Sequence, residues 1–413
     1  MRAMENTNIS QQHVNPGALE VCRVLSAEGY QAYIVGGCVR DMLLGQTPKD
    51  WDITTDATPQ KVMALFPKTL PTGLQHGTVT VVLGEGVENH FEVTTFRIEG
   101  AYADGRRPDE VFFVLNVEQD LARRDLTINA IAYDPIADRI ADPYGGMRDL
   151  EAGVLRAVGS AQARFQEDGL RIMRVCRFAA RFGYDVEQAT FEGMCESINT
   201  LEKVSKERVA DELCKTLMAP YAKVGLDLLK ECGAIYITCP LLSSDGLFRA
   251  GQDRATGELE TRLAFMYSNY PSSIAELELT NLKFSNREIK KVVFLLQLHE
   301  RYHAFREKDT ESAYKSFMAV VKNHSPEAWE STLEQFLQLT EAEGYQSRAL
   351  FTKYQSVTVL ARRELRLNGN DLMLIGVKPG PEIKRILEEC YLEVLRHPEN
   401  NTSSFLLDYA TSI

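Results

Sequence analysis

The hydrophobic pattern changes its period once along the chain, and that change limits the architectures open to it. Up to about residue 150, short segments rich in β-branched and aromatic residues alternate with turns. Tyr33–Val35, Trp51–Thr54, Thr78–Leu83, His90–Phe96 and Val111–Val114 read as strands. Helices are expected over Gly17–Glu28 and over Thr58–Phe66, where Thr58-Pro59 supplies an N-cap and a first helical residue. From about Ser160 the apolar spacing becomes helical. The stretch from Ala161 to about Gly183 reads as one helix with Ile172, Val175, Ala179 and Phe182 on one stripe. Further helices are expected around Ala189–Thr200, Lys206–Met218, Lys223–Cys232, Arg287–Phe305, Glu311–Asn323, Pro326–Gly344 and Ile383–Arg396. The pattern predicts an α+β fold, with a small mixed β-sheet backed by helices followed by an all-helical remainder.

With 413 residues the chain has material for two to four compact units. No run of about 18 apolar residues is present, so no membrane partner is expected. The opening MRAMENTNISQQHVNPG has no apolar signal-type core and is not Arg-rich, which makes a cytoplasmic location the expectation. The eight cysteines form no CxxC pair, so zinc-ribbon and thioredoxin-type readings fall away. The net charge of −12 argues against a broad, non-specific nucleic-acid binder. Cations nevertheless cluster at Arg40, Arg106–Arg107, Arg123–Arg124 and Arg171–Arg177, which predicts a narrow positive groove on an acidic body.

One segment joins two elements of phosphate chemistry. Val35-Gly36-Gly37-Cys38-Val39-Arg40 ends a strand at a Gly-Gly turn, where backbone at Gly37 can approach a phosphate, and places Arg40 one turn into a helix, where it can reach a nucleotide triphosphate. The next strand opens with Asp50-Trp51-Asp52. Residues two apart on a strand share a face, so both carboxylates converge while Trp51 and Ile53 turn towards the core. Such a pair suits Mg²⁺, which takes oxygen ligands from protein and phosphate together. A two-metal site needs a third carboxylate, and Glu92, mid-strand in His90–Phe96, is the candidate.

The Gly36–Asp52 segment resembles the nucleotidyltransferase superfamily of DNA polymerase β. More narrowly, the chain is similar to class II tRNA nucleotidyltransferases. The resemblance runs through Arg123-Arg124-Asp125-Leu126-Thr127-Ile128-Asn129-Ala130, Asp142-Pro143-Tyr144-Gly145-Gly146 and Arg164-Phe165-Gln166-Glu167-Asp168-Gly169-Leu170-Arg171. It covers roughly residues 20–220 and is fainter beyond. It implies a nucleotidyltransferase head over 18–150, a helical neck over 151–220, a body over 221–297 and a tail over 298–413 that docks tRNA. It further implies that Asp50, Asp52 and Glu92 are catalytic, with Mg²⁺ on Asp50 and Asp52. Asp168 and Arg171 would read the base of CTP or ATP from one helix face. Arg124, Arg174 and Arg177 would contact the nucleotide, whereas Asp125 and Asn129 are as consistent with capping or a hinge.

The segment from Thr94 through Tyr102, Asp104, Arg106, Arg107 and Pro108 resembles the family's flexible loop, which argues against the branch that adds only C. An enzyme adding only A, a bacterial-type poly(A) polymerase, a non-catalytic RNA-binding relative and a small-substrate nucleotidyltransferase are the competing readings. His299-Glu300-Arg301-Tyr302-His303 fits the zinc-protease pattern H-E-x-x-H, but no third-ligand signature follows it, so polar residues on a helix face are expected.

Overall fold

Asn15 opens the ordered N-terminal part of the chain as a helix cap, its side chain accepting the Gly17 N–H at 2.8 Å just ahead of α1 (Pro16–Ala27). The computed structural model describes residues 9–86, 89–99, 111–242 and 257–413. The chain divides into two compact units, residues 1–240 and 241–413.

The first unit begins with β1 (Ala32–Val35), α2 (Gly37–Leu43), β2 (Asp52–Thr55), α3 (Pro59–Leu65), β3 (Thr69–Gly73), β4 (Thr78–Val82) and β5 (His90–Thr95). The hairpin strands β6 (Arg97–Glu99) and β7 (Val111–Phe113) follow, then α4 (Val117–Ala122), β8 (Ala132–Asp134), β9 (Arg139–Ala141) and α5 (Gly146–Ala152). Seven strands form one sheet in the order β3-β4-β5-β2-β1-β8-β9. β2 and β5 run parallel, and all other neighbours in the sheet are antiparallel. Alternation along β2 sends Ile53 into the core, and the preceding Trp51 is also buried. Val35, Phe96, Val117, Leu121, Ala130, Ala132 and Val158 pack as one apolar cluster, which ties β1 to α4 and β8. The strands expected from sequence are all present within one or two residues. The edge strands β3 and β9, and β8 beside β9, lacked a clear alternating signal and emerge only as sheet partners.

The helical part of this unit comprises α6 (Ala161–Glu167), α7 (Leu170–Phe182), α8 (Gln188–Glu196), α9 (Lys206–Leu217), α10 (Ala222–Glu231) and α11 (Ala234–Thr238). The single helix expected over Ala161–Gly183 is in fact two. Asp168 is extended (φ −141°, ψ 107°) and its carboxylate accepts the Leu170 N–H at 3.0 Å, capping α7 from outside. Gly169 beside the break has no room for a side chain, since a Cβ there would lie 2.6 Å from the Thr200 carbonyl carbon. Beyond the break α7 packs against α9 and α10 and ends at Gly183 in a left-handed cap (φ 69°).

The second unit holds α12 (Leu259–Tyr267), α13 (Ser272–Asn281), α14 (Asn286–Lys308), α15 (Glu311–His324), α16 (Trp329–Ala342), α17 (Ser347–Lys353), α18 (Gly369–Leu374), α19 (Pro381–Arg396) and α20 (Ser403–Ser412). Tyr302, Phe305, Phe317, Phe336 and Phe351 stack at its centre. The H-E-x-x-H segment lies on α14 and is spent on packing. His299 is buried and paired with Glu343, the His303 ring meets it edge-on at 4.8 Å, and Glu300 accepts the Ser272 N–H at 3.2 Å. Among the described residues no helix is long and apolar enough to cross a membrane.

Gly169→Ala should lower the stability of the first unit by roughly 1–3 kcal/mol, the usual cost of forcing atoms into packed backbone. Urea unfolding followed by circular dichroism measures this; an unchanged midpoint would show that the Asp168–Gly169 break tolerates a side chain.

Candidate functional site

Gly36 ends β1 in a conformation that suits glycine (φ 81°, ψ −129°), and a Cβ there would lie 2.6 Å from Arg124 Nη1. The turn therefore admits the Arg124 guanidinium close to the backbone. It also starts α2, so that Gly37 and Arg40 face a cavity of about 550 Å³. Its lining joins Gly37, Arg40, Asp50, Asp52, Arg123, Arg124, Asp125 and Asn129 to Asp168, Leu170, Arg171, Arg174, Arg177, Phe178, Arg181 and Arg208. Every site residue expected from sequence except Glu92 is brought together here. Eight arginines against four aspartates make the wall positive, within a chain whose net charge is −12.

The two carboxylates sit where β2 begins. Asp52 is its first residue and half-buried, whereas Asp50 just precedes the strand and is exposed. Burial pushes the Asp52 carboxyl above its ordinary value, nearby Arg124 opposes this, and Asp50 adds to the rise. No hydrogen bond or ion pair among the described residues engages the carboxylate of Asp50, Asp52 or Glu92. Two adjacent oxygen donors with an unfavourable shared charge fit a hard divalent cation.

Glu92 stands beside this lining, not in it. The β2–β5 register pairs it with Asp52, so the two side chains share a face, and burial followed by the charges of Asp52 and Asp50 pushes its carboxyl up. Yet Glu92 is exposed and does not line the cavity. Among the described residues no three metal-ligating side chains are grouped. Register alone brings Glu92 one strand away, which is near enough to be felt as charge but does not assemble a third ligand.

The base-reading pair also differs from its expected geometry. Asp168 and Arg171 do not share a helix face, because the helix is interrupted at Asp168. Arg171 donates to Glu167 at 2.7 Å and to the Arg123 carbonyl at 2.9 Å. Asp168 instead pairs with Arg208 on α9 at 2.7 Å.

The remaining arginines are held by carboxylates. Arg174 pairs with Asp125 at 2.7 Å, which together with Asn129 holds the Asp125 carboxyl well below the usual range despite burial. Arg177 pairs with the buried Glu212 at 2.5 Å. Arg40 is almost wholly buried; it donates to Asp41 and, at 2.5 Å, to Asn129 Oδ1, and lies over Phe178 and Phe182. It contributes positive field while its donors tie α2 to Asn129 and its guanidinium face rests on the α7 rings. Asp125 and Asn129, left open between cap and ligand, link Arg40 to Arg174 through the 3.0 Å bond between them. Asp120, fully buried, takes both Arg123 and Arg124.

Sequence reasoning missed Arg181, Arg208, Glu212 and Phe178. Their helices were legible, but only packing reveals which face meets the cavity. The segment Tyr102–Pro108, expected to be a loop at this site, lies outside the described residues.

Comparison with known proteins agrees with this geometry. Residues 32–156 match the poly(A) polymerase head domain, 183–245 the probable RNA- and SrmB-binding site of polymerase A, and 258–410 a putative tRNA nucleotidyltransferase domain 2. A CCA-adding enzyme of Lactococcus lactis subsp. lactis is 37% identical over 93% of this chain and 94% of its own. One from Streptococcus pneumoniae is 38% identical, covering 90% and 91% of the two chains. The crystal structure of the Bacillus stearothermophilus CCA-adding enzyme in complex with CTP superposes with a TM-score of 0.76 at 30% identity, over 97% of this chain and 98% of that one.

Asp52→Asn should abolish nucleotide transfer, by roughly a thousandfold or more, with the fold intact. In metal-free buffer it should match or exceed the parent in thermal stability at neutral pH. A raised carboxyl pKa means the folded state loses stability as pH climbs through the carboxylate range. The stability difference between variant and parent should therefore widen over that range. Thermal melts against pH in chelator test this, and retained transfer would remove Asp52 from the chemistry.

Proposed function

This chain belongs to the family of CCA-adding enzymes, and from that premise we propose how its cavity carries out the family's reaction. The chain adds C, C and A from CTP and ATP to the 3′ end of tRNA, without a nucleic-acid template, and releases pyrophosphate. One observation carries the assignment of residues: the Asp50–Asp52 pair and the Asp168–Arg171 pair line the same cavity.

The tRNA 3′-hydroxyl attacks the α-phosphorus of the bound nucleotide, in line with the departing pyrophosphate. Asp50 and Asp52 would hold Mg²⁺, in the two-metal arrangement that lowers the hydroxyl pKa and neutralises charge on the phosphates. Glu92 contributes negative potential from the neighbouring strand. Arg124 and Arg174, reinforced by the field of Arg40 and Arg177, orient the triphosphate along the wall beyond Gly37. Asp168 accepts from the exocyclic amine that cytosine and adenine share, and Arg171 donates to the adjacent ring nitrogen. Guanine and uracil present the opposite pattern and are refused.

The division into head 18–150, neck 151–220, body 221–297 and tail 298–413 assigns chemistry to the head, base reading to the neck and acceptor-arm docking to the rest. The bacterial relatives support a cytoplasmic enzyme, where tRNA and nucleoside triphosphates meet.

The deciding assay offers CTP or ATP separately to a tRNA lacking all three terminal nucleotides and to one lacking only the last. C should enter the first and a single A the second. Failure to add C to the first would mark an enzyme that adds only A, and a long A tract would mark a poly(A) polymerase. RNA affinity should also fall steeply with salt, and an affinity indifferent to salt would contradict the positive cavity.

A further inference from the structure

An aspartate and an arginine three residues apart, in one cavity, have an obvious partner in each other. An Asp168–Arg171 ion pair would consume the acceptor and the donors needed for a nucleotide base. The structure shows each of them drawn aside by a different residue. Asp168 Oδ2 accepts from Arg208 Nη2 at 2.7 Å, across from α9, while Oδ1 accepts the Leu170 N–H at 3.0 Å. Arg171 is tied to Glu167 at 2.7 Å and to the Arg123 carbonyl at 2.9 Å.

Arg208 makes its one hydrogen bond among the described residues to Asp168, and its Nη1, though buried, has none. Burying part of a guanidinium for a single partner costs desolvation that a solvated surface charge avoids. The two anchors on Asp168 also differ in kind. The Leu170 N–H fixes one oxygen to the chain, whereas Arg208 sets the rotation of the carboxylate plane and so the direction of its remaining lone pairs.

We propose that Arg208 is a positioning residue for base selection: by holding Asp168 away from Arg171, it keeps the acceptor and the donor separate and directed at the incoming base. This rests on the reading that Asp168 and Arg171 recognise C and A. Glu167 does the same for Arg171 from the other side. Without Arg208, Asp168 swings onto Arg171, the pair neutralises itself, and discrimination among nucleotides declines.

The test measures kcat and KM for CTP, ATP, UTP and GTP on full-length protein with tRNA, for Arg208→Gln, Arg208→Lys and Asp168→Asn. Loss of one charge-assisted hydrogen bond predicts that Arg208→Gln raises KM for CTP and ATP about tenfold or more and erodes discrimination against UTP and GTP by a similar factor, with a smaller change in kcat. Arg208→Lys, which keeps a charge within reach of Asp168, should recover most of the discrimination. A residue that only stabilised the fold would lower the melting temperature and leave the nucleotide ratios unchanged. If Asp168→Asn loses discrimination and a folded Arg208→Gln keeps it, the proposal is overturned and the base-reading assignment stands. If Asp168→Asn itself keeps discrimination, the assignment falls and the proposal with it. Should Arg208→Gln fail to fold, Glu167→Gln carries the same prediction by freeing Arg171, and unchanged nucleotide ratios in it would overturn the proposal.

Discussion

Mutual repulsion among arginines is the constraint on which the first unit is built. Eight guanidinium groups line one cavity, and like charges this close in a partly desolvated space repel strongly. The structure meets the problem by giving these cations carboxylate partners. Asp41 takes Arg40 and Arg181, Asp120 takes Arg123 and Arg124, Asp125 takes Arg174, Asp168 takes Arg208, and Glu212 takes Arg177. Asp41–Arg181, Asp125–Arg174 and Asp168–Arg208 join distant parts of the chain. The electrostatics of the site and the packing of sheet against helices are therefore one arrangement. Removing a carboxylate from this set leaves an uncompensated buried charge as well as a misplaced arginine.

That arrangement also divides labour among acids of the same type. Asp125, capped by the Leu126 N–H and by Asn129, is held firmly ionised and serves as a fixed anion. Asp52, half-buried beside Asp50 with no donor of its own, is pushed the other way. A carboxylate with donors stabilises the protein, whereas one without them is available to a cation and its phosphates.

Much of this was legible before any coordinates. Asp50 and Asp52 were read at a strand start after a Gly-Gly turn; β2 begins only at Asp52, with Asp50 just before it, yet both line the cavity. The limits of the expected strands and of most expected helices also followed, because period and caps are local signals. Three features rest on physical causes that no local pattern carries. The break at Asp168 is followed by Gly169 packed against the backbone of Thr200, an approach between residues 31 apart. Glu92, read as a third carboxylate mid-strand, pairs in register with Asp52 yet does not line the cavity, because register fixes a face and not a side chain's reach. Arg40 read as reaching a triphosphate; in the fold Asp41 and Asn129 take three of its five N–H donors. Arg208 was invisible because nothing in the first turn of α9 marks it; its function comes from the partner it meets.

The sequence by itself determined the chemistry: which residues could bind a cation and phosphates, that the head would be a mixed sheet, and that helices would follow. Those properties reside in residue type and in periods of two and 3.6, which are set by the backbone. Only the tertiary structure decided how the charges are shared. Ion pairs form between whichever side chains packing brings together, so the pairing of Asp168 with Arg208, in place of Arg171, depends on the whole fold around the break.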